Sequence, residues 1–232
     1  MTGAALVTGF EAYGGRARNP AGEIAASLDG ITIGGIRLVG RSLPVAFAAL
    51  EEVIPALLAE IDPAVVISLG LCPGEPVIRL ERVAINLADF AIPDNDGAVL
   101  VDQPLDALGT AARFATLPLR PIQEALLGAG IPARLSSTAG TYICNKALYR
   151  LLGAIERSGK AVPCGFIHLP YLPEQVAEMI ARMQAERSVE RRQPANLPSM
   201  SLATMSRAVR IALEVTLAQG DPQALPIAGR SP

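Results

Sequence analysis

The sequence predicts an α/β fold, a three-layer α/β/α sandwich around a mostly parallel twisted sheet in a single domain. Three observations carry that prediction. Short apolar runs typical of buried strands alternate along the chain with amphipathic stretches at helical spacing. The apolar runs lie too far apart for tight hairpins, which leaves strands joined through crossover helices. Finally, 232 residues with 50% hydrophobic and 18% charged side chains suit one core, because chains divide into separate cores only beyond about 250–300 residues.

The elements follow in order. Ala4–Thr8 reads as a strand ended by Gly9. Asn19 is a natural cap before a proline at the first helical position, so a helix is expected over Pro20–Leu28. Ile36–Leu43 reads as a strand, and Val45–Ile61 as an amphipathic helix stopped by Asp62-Pro63. Ala64–Leu71 is a continuous apolar run, the mark of a central strand buried on both faces, followed by a Pro73-Gly74 turn. Val77–Leu87 alternates like a strand pair or extended arm, and Pro93–Gly97 is a dense turn signal.

A helix is then expected over Pro121–Gly130, a short strand over Ala133–Ser136, and a helix over Tyr142–Ile155. Gly165–His168 is a strand ended by Pro170. Pro173–Arg192 and Ser199–Gln219 carry long helical patterns, joined by a loop holding Pro194 and Pro198. The domain is thus expected to span 1–219, with a flexible Pro-rich tail over 220–232. In such sheets reactive groups collect at the carboxyl ends of strands, where Gly9–Gly15, Gly70–Glu81 and Ile167–Tyr171 stand.

Composition narrows the chemistry. A net charge of −2 with no basic block beyond Arg191-Arg192, 4% aromatics and no tryptophan argue against nucleic acid as a partner. Every apolar run is broken long before the roughly 20 residues of a membrane span. The N-terminus runs straight into Ala4–Val7 without a leader pattern, so a cytoplasmic protein is expected. Three cysteines, Cys72, Cys144 and Cys164, fit neither a zinc ribbon nor a disulfide framework. A single histidine, His168, excludes a metal site built from several imidazoles.

Cys144 follows the small-residue stretch Ser136–Thr141 at the start of a predicted helix, where the helix terminus favours a thiolate and first-turn amides can hold an oxyanion. A thiolate that cleaves an amide needs a proton donor for the leaving amine, and His168 is the residue that titrates near neutrality. A third, acidic group should fix the imidazole tautomer. Glu81 is a candidate, with Asp89 and Asp94 as alternatives. A cysteine or a histidine among apolar neighbours is more often a core residue than a catalytic one, so the residues alone leave a cysteine hydrolase as one hypothesis among several. The Thr8–Gly15 turn lacks the lysine and glycine spacing of phosphate-binding loops.

At these residues the sequence resembles the pyroglutamyl peptidase I family of cysteine peptidases. Three stretches carry the likeness: Thr8-Gly9-Phe10-Glu11-Ala12-Tyr13-Gly14-Gly15 with Asn19-Pro20; Glu81–Leu87 with Ile92–Gly97; and Thr138–Asn145 with Gly165–Pro173. The resemblance runs from about residue 4 to 217. It implies Cys144 as nucleophile, His168 as acid/base and Glu81 as the group that orients it, with no metal or organic cofactor. It implies peptides with an N-terminal pyroglutamyl group as substrates and a homo-oligomer, a dimer or tetramer. It further implies that Phe10, Tyr13, Asn19, Leu71, Ile92, Tyr142 and Ile143 form the slot for the flat, uncharged pyrrolidone ring.

Two departures stand out. The family's Gln-Ala-Gly-Gly-Arg turn is Leu71-Cys72-Pro73-Gly74-Glu75 here, and its arginine before Ile-Pro-Asp-Asn is Ala91. Two positive charges are therefore missing near the expected site, with Arg79 or Arg82 as candidate replacements. The same departures keep two other readings open: an amidase for another small cyclic or N-acyl group, and a homologue that binds such groups without hydrolysing them.

Overall fold

The computed structural model describes residues 3–185 and 197–219. A seven-stranded sheet forms the centre. Its strands are β1 (Ala4–Phe10), β2 (Thr32–Ile33), β3 (Ile36–Leu43), β4 (Val65–Leu71), β5 (Ile78–Glu81), β10 (Ala133–Ser136) and β11 (Cys164–Leu169), in the spatial order β10-β5-β11-β4-β1-β3-β2. The central strands β11, β4, β1 and β3 run parallel. The β5 strand pairs antiparallel with β11, as β2 does with β3, so both edges reverse. The predicted mostly parallel sheet is what forms.

Helices cover both faces. One face is packed by α1 (Pro20–Leu28), α3 (Leu119–Gly128) and α6 (Leu202–Gln219) through Ile24, Leu28, Ile122, Leu126, Val209 and Leu213. The other is packed by α2 (Leu50–Ile61) and α4 (Ile143–Ser158) through Leu50, Ile54, Leu148 and Leu151. Each such aliphatic side chain contributes roughly 1.5–3 kcal/mol on burial. All seven residues of β4 are buried, as a strand covered on both faces requires. Gly9 lets α1 approach β1, because a β-carbon there would stand 1.9 Å from the Ala21 carbonyl oxygen.

Several boundaries differ from the sequence reading. Helix α2 begins at Leu50 rather than Val45. The Val45 amide donates to Glu11 Oε1 (3.0 Å) and the Phe47 amide to Asp94 Oδ2 (2.6 Å), so side-chain acceptors hold 45–47 as a docked loop. Val77–Leu87 divides: β5 joins the main sheet, while β6 (Val83–Ile85) pairs with β9 (Ala112–Phe114) in a separate ribbon. A second ribbon pairs β7 (Ala88–Phe90) with β8 (Leu100–Gln103). Helix α5 is described over Pro173–Ala185, so the expected continuation to Arg192, the Pro194 loop and the 220–232 tail lie outside the described residues.

Candidate active site

The site forms at the carboxyl ends of the central strands, on the α2/α4 face. Strand periodicity of two points alternate residues of β5 to opposite faces: Ile78 and Leu80 enter the core beneath α1, α3 and α6, while Arg79 and Glu81 face the other way. Antiparallel pairing sets His168 opposite Arg79 and Phe166 opposite Glu81. In this register His168 Nδ1 lies 2.7 Å from Glu81 Oε1. A carboxylate only accepts, so Nδ1 carries the proton and Nε2 is left as the acceptor. The Phe166 ring packs against the imidazole at a centroid distance of 4.8 Å.

Glu81 is completely buried and also lies 3.0 Å from Arg79 Nε. The two alternative acids are placed elsewhere. Asp94 accepts the amides of Phe47, Asp96 and Ala98 and so shapes the 94–98 turn. Asp89 is exposed, and its backbone carbonyl accepts from Thr141 Oγ1 at 2.5 Å.

Cys144 is the second residue of α4, behind Tyr142, whose extended backbone opens the helix and whose side chain caps no amide. The first-turn amides are therefore available to an oxyanion. Next in the chain, buried Asn145 anchors the helix start: its Nδ2 donates to the Ile85 and Leu87 carbonyls, and its Oδ1 accepts the Ile85 amide. The thiol rests over Gly70, the register partner of His168. A β-carbon at Gly70 would stand 2.8 Å from Cys144 Sγ and 2.7 Å from the Phe166 ring. An isolated glycine inside the apolar run of β4 was the available signal for such close approach.

Burial pushes the Cys144 thiol well up, helped by the neighbouring Cys72 and Glu81 charges and opposed by its own backbone amide and by Arg79. The backbone amide at the helix terminus acts in the expected direction, favouring the thiolate, but desolvation is the larger effect here. Burial thus favours the thiol form, so a base beside it must take up the proton as sulfur attacks. Alkylation of Cys144 by iodoacetamide is expected to accelerate by roughly tenfold per pH unit between pH 7 and 9. A rate flat across that range, followed by peptide mass mapping, contradicts this.

Thiol and imidazole open onto one cavity of about 460 Å³, lined predominantly by apolar side chains. All seven residues expected in the slot, Phe10, Tyr13, Asn19, Leu71, Ile92, Tyr142 and Ile143, line it, as do Cys72, Arg79, Phe90 and Ala91. Phe90 packs edge-on against Tyr142 at 4.8 Å, and Tyr13 lies 6.4 Å from it. Burial pushes the Tyr142 hydroxyl up to about 12 and that of Tyr13 higher still, so both are neutral hydrogen-bonding groups at physiological pH. Asn19 Nδ2 donates to the Glu11 carbonyl (2.9 Å), and its Oδ1 accepts the Ala21 amide (3.1 Å).

The departures from the family pattern also find their places. Glu75 is buried away from the cavity, bound by Arg134 (2.9 and 3.1 Å) and Arg79 (3.4 Å). Arg79 reaches the cavity wall, whereas Arg82 is exposed outside it. Cys164 is buried in the core, and the three cysteines are free. Among the described residues no group of three metal-binding side chains occurs, and no helix is long and apolar enough to cross a membrane.

Comparison with known proteins agrees with this architecture. The family model for pyroglutamyl peptidase matches residues 4–219. The chain is 42% identical over 212 residues to a pyrrolidone-carboxylate peptidase of Pyrococcus furiosus, covering 91% of this chain and 97% of that one. It is 38% identical over 211 residues to a pyrrolidone-carboxylate peptidase of Bacillus cereus, covering 91% of both. A solved structure of a mutant pyrrolidone carboxyl peptidase from P. furiosus superposes with a TM-score of 0.85 at 41% identity, covering 93% of this chain and 99% of that one. With the match spanning nearly the whole chain, sheet and cavity included, the protein belongs to the pyroglutamyl peptidase family.

Proposed function

We propose that the protein is a cysteine exopeptidase that removes an N-terminal pyroglutamyl residue from peptides, with Cys144 as nucleophile, His168 as acid/base and Glu81 as the orienting carboxylate. The observation that carries this reading is the 2.7 Å contact between buried Glu81 and His168 Nδ1, on a cavity shared with the Cys144 thiol. Nε2 of His168 accepts the thiol proton as sulfur attacks the pyroglutamyl carbonyl. First-turn amides of α4 receive the oxyanion, the imidazolium protonates the departing amine, and water hydrolyses the acyl-enzyme. The small, uncharged ring suits a cavity walled by Phe10, Tyr13, Phe90 and Tyr142.

The shared name of relatives aligned over 91% of the chain favours this reading over an amidase for another acyl group or a homologue that only binds. A panel of pyroglutamyl, prolyl and acetyl aminomethylcoumarins tests it. Turnover confined to the pyroglutamyl derivative is expected, and faster release from another acyl group overturns the substrate assignment.

Gly70→Ala is expected to lower turnover by about 10²-fold, the scale of an ångström's misplacement of a reacting group. Steady-state kinetics beside a thermal melt check this: an unchanged kcat contradicts the packing of Sγ over Gly70. We further propose a homo-oligomer, supported by the exposed apolar side chains Val99, Val101, Leu108 and Phe114 on and around the two ribbons. A cytoplasmic setting is part of the same proposal, supported by three free cysteines.

A further inference from the structure

Arg79 has more contacts within the site than any role in filling the wall requires. One guanidinium touches the orienting carboxylate on its own strand, the loop that leads into Cys144 and the turn after β4. Its Nε forms an ion pair with Glu81 Oε1 at 3.0 Å without hydrogen-bond geometry, on the same oxygen that faces His168. Its Nη2 donates to Ser136 Oγ (2.7 Å) and to the Thr138 carbonyl (2.6 Å), in the loop that leads into Cys144. Its Nη1 donates to Cys72 Sγ (3.3 Å) and Glu75 Oε2 (3.4 Å), in the turn after β4. The side chain is 14% exposed, so these contacts are made largely out of water, where charge-assisted hydrogen bonds are strong.

We propose that Arg79 is a positioning residue for the reaction: it neutralises and holds Glu81 for His168 while pinning the loop that presents Cys144. This rests on the triad reading above and supplies, from β5, the positive charge missing at Ala91. The charge balance supports it. Glu81 is completely buried, and its Oε2 has no hydrogen-bond partner among the described residues, so an isolated carboxylate there would be costly. Beyond Arg79 and His168, the titratable and charged groups around that carboxylate are the Cys72 and Cys144 thiols, Glu75, and Arg134 on β10. Arg134 is taken by Glu75 in a two-pronged contact. Arg79 is therefore the cation in contact with Glu81.

The test compares Arg79→Met and Arg79→Lys with the wild type, using the full chain. With L-pyroglutamyl-aminomethylcoumarin, Arg79→Met is expected to lower kcat by about 10- to 100-fold, the scale of one charge-assisted contact, with KM changed less than threefold. The acid limb of its kcat/KM profile is expected to move to higher pH, because an unneutralised Glu81 favours the imidazolium. Arg79→Lys restores the position of that limb through its charge, but only part of kcat, because a lysine cannot span Glu81, Ser136 and Thr138 together.

Iodoacetamide alkylation of Cys144, which needs no substrate, supplies the second readout. It is expected to slow in Arg79→Met at pH 7.5, because the cation that favours the thiolate is gone. Alkylation altered in the variant with no pyroglutamyl turnover by the wild type leaves the positioning role standing and removes the substrate reading. An Arg79→Met variant with kcat within twofold, an unmoved acid limb and unchanged alkylation overturns the proposal. Equal losses of activity in both variants that track a fall in thermal stability overturn it too, since they mark a purely structural residue.

Discussion

Cys144→Ala is expected to lower turnover of L-pyroglutamyl-aminomethylcoumarin by about 10⁴- to 10⁶-fold, the scale seen when a hydrolase loses its nucleophile. The argument is local. Cys144 Sγ occupies space left by Gly70 and faces the cavity shared with His168, so its removal deletes the attacking atom and leaves the packing of α4 nearly intact. The neighbouring Cys72 does not replace it. That thiol is held by Arg79 Nη1, is itself pushed up by burial, and follows β4 rather than opening a helix whose amides hold an oxyanion. A melting temperature close to wild type should accompany the loss. Residual turnover above a few per cent would move the nucleophile elsewhere, with Cys72 as the first residue to test.

Glu81→Gln is expected to cost about 10³- to 10⁴-fold in kcat, the scale at which an orienting carboxylate acts in a triad. The substitution is nearly isosteric, and its effect is on the proton. A glutamine amide turned toward Nδ1 donates where the carboxylate accepts, so the imidazole carries its proton on Nε2 and no longer receives one from the thiol. Glu81 is also fully buried against Arg79, so the same change leaves the guanidinium with Glu75, at 3.4 Å, as its remaining carboxylate and should lower stability. Measuring kcat alongside a thermal melt separates the two effects. A variant that melts several degrees lower with kcat unchanged would make Glu81 a structural ion-pair partner.

Much of the fold is legible because local and global signals agree. Asn19-Pro20 both caps and starts α1, and the observed helix has the predicted limits, Pro20–Leu28. Strand β3 likewise spans the expected Ile36–Leu43. Legibility fails where tertiary contacts decide. Val45–Phe47 has helical spacing but docks as a loop, because Glu11 and Asp94, both far away in sequence, take its amides. The β2–β3 hairpin, which the sequence reading did not anticipate, turns at Gly34-Gly35, both at positive φ, and its two-residue first strand is too short to show alternation. The two ribbons consist of strands of three or four residues, below the length at which periodicity can be read.

The candidate site divides the same way. Cys144 and His168 could be singled out by local context and by elimination, with one histidine in the chain. Choosing Glu81 over Asp89 and Asp94 depends on the antiparallel register of β5 against β11, which no single-strand pattern encodes. The ionisation of the thiol also escaped the sequence, because the helix terminus is visible there and the enclosure around Gly70 and Phe166 is not. Arg79 is one of the two arginines the sequence offers as replacements for the missing charge, and its inward direction follows from the same β5 register that directs Glu81.

The central claim is that Cys144 carries the pyroglutamyl group during turnover. Rapid acid quench of the purified protein with L-pyroglutamyl-aminomethylcoumarin, followed by peptide mass mapping, tests it most directly. The account predicts a mass increment of one pyroglutamyl group on the peptide containing Cys144, absent in Cys144→Ala. Aminomethylcoumarin release with no adduct on that peptide under conditions where acylation outpaces hydrolysis, or an adduct on Cys72 instead, would contradict it.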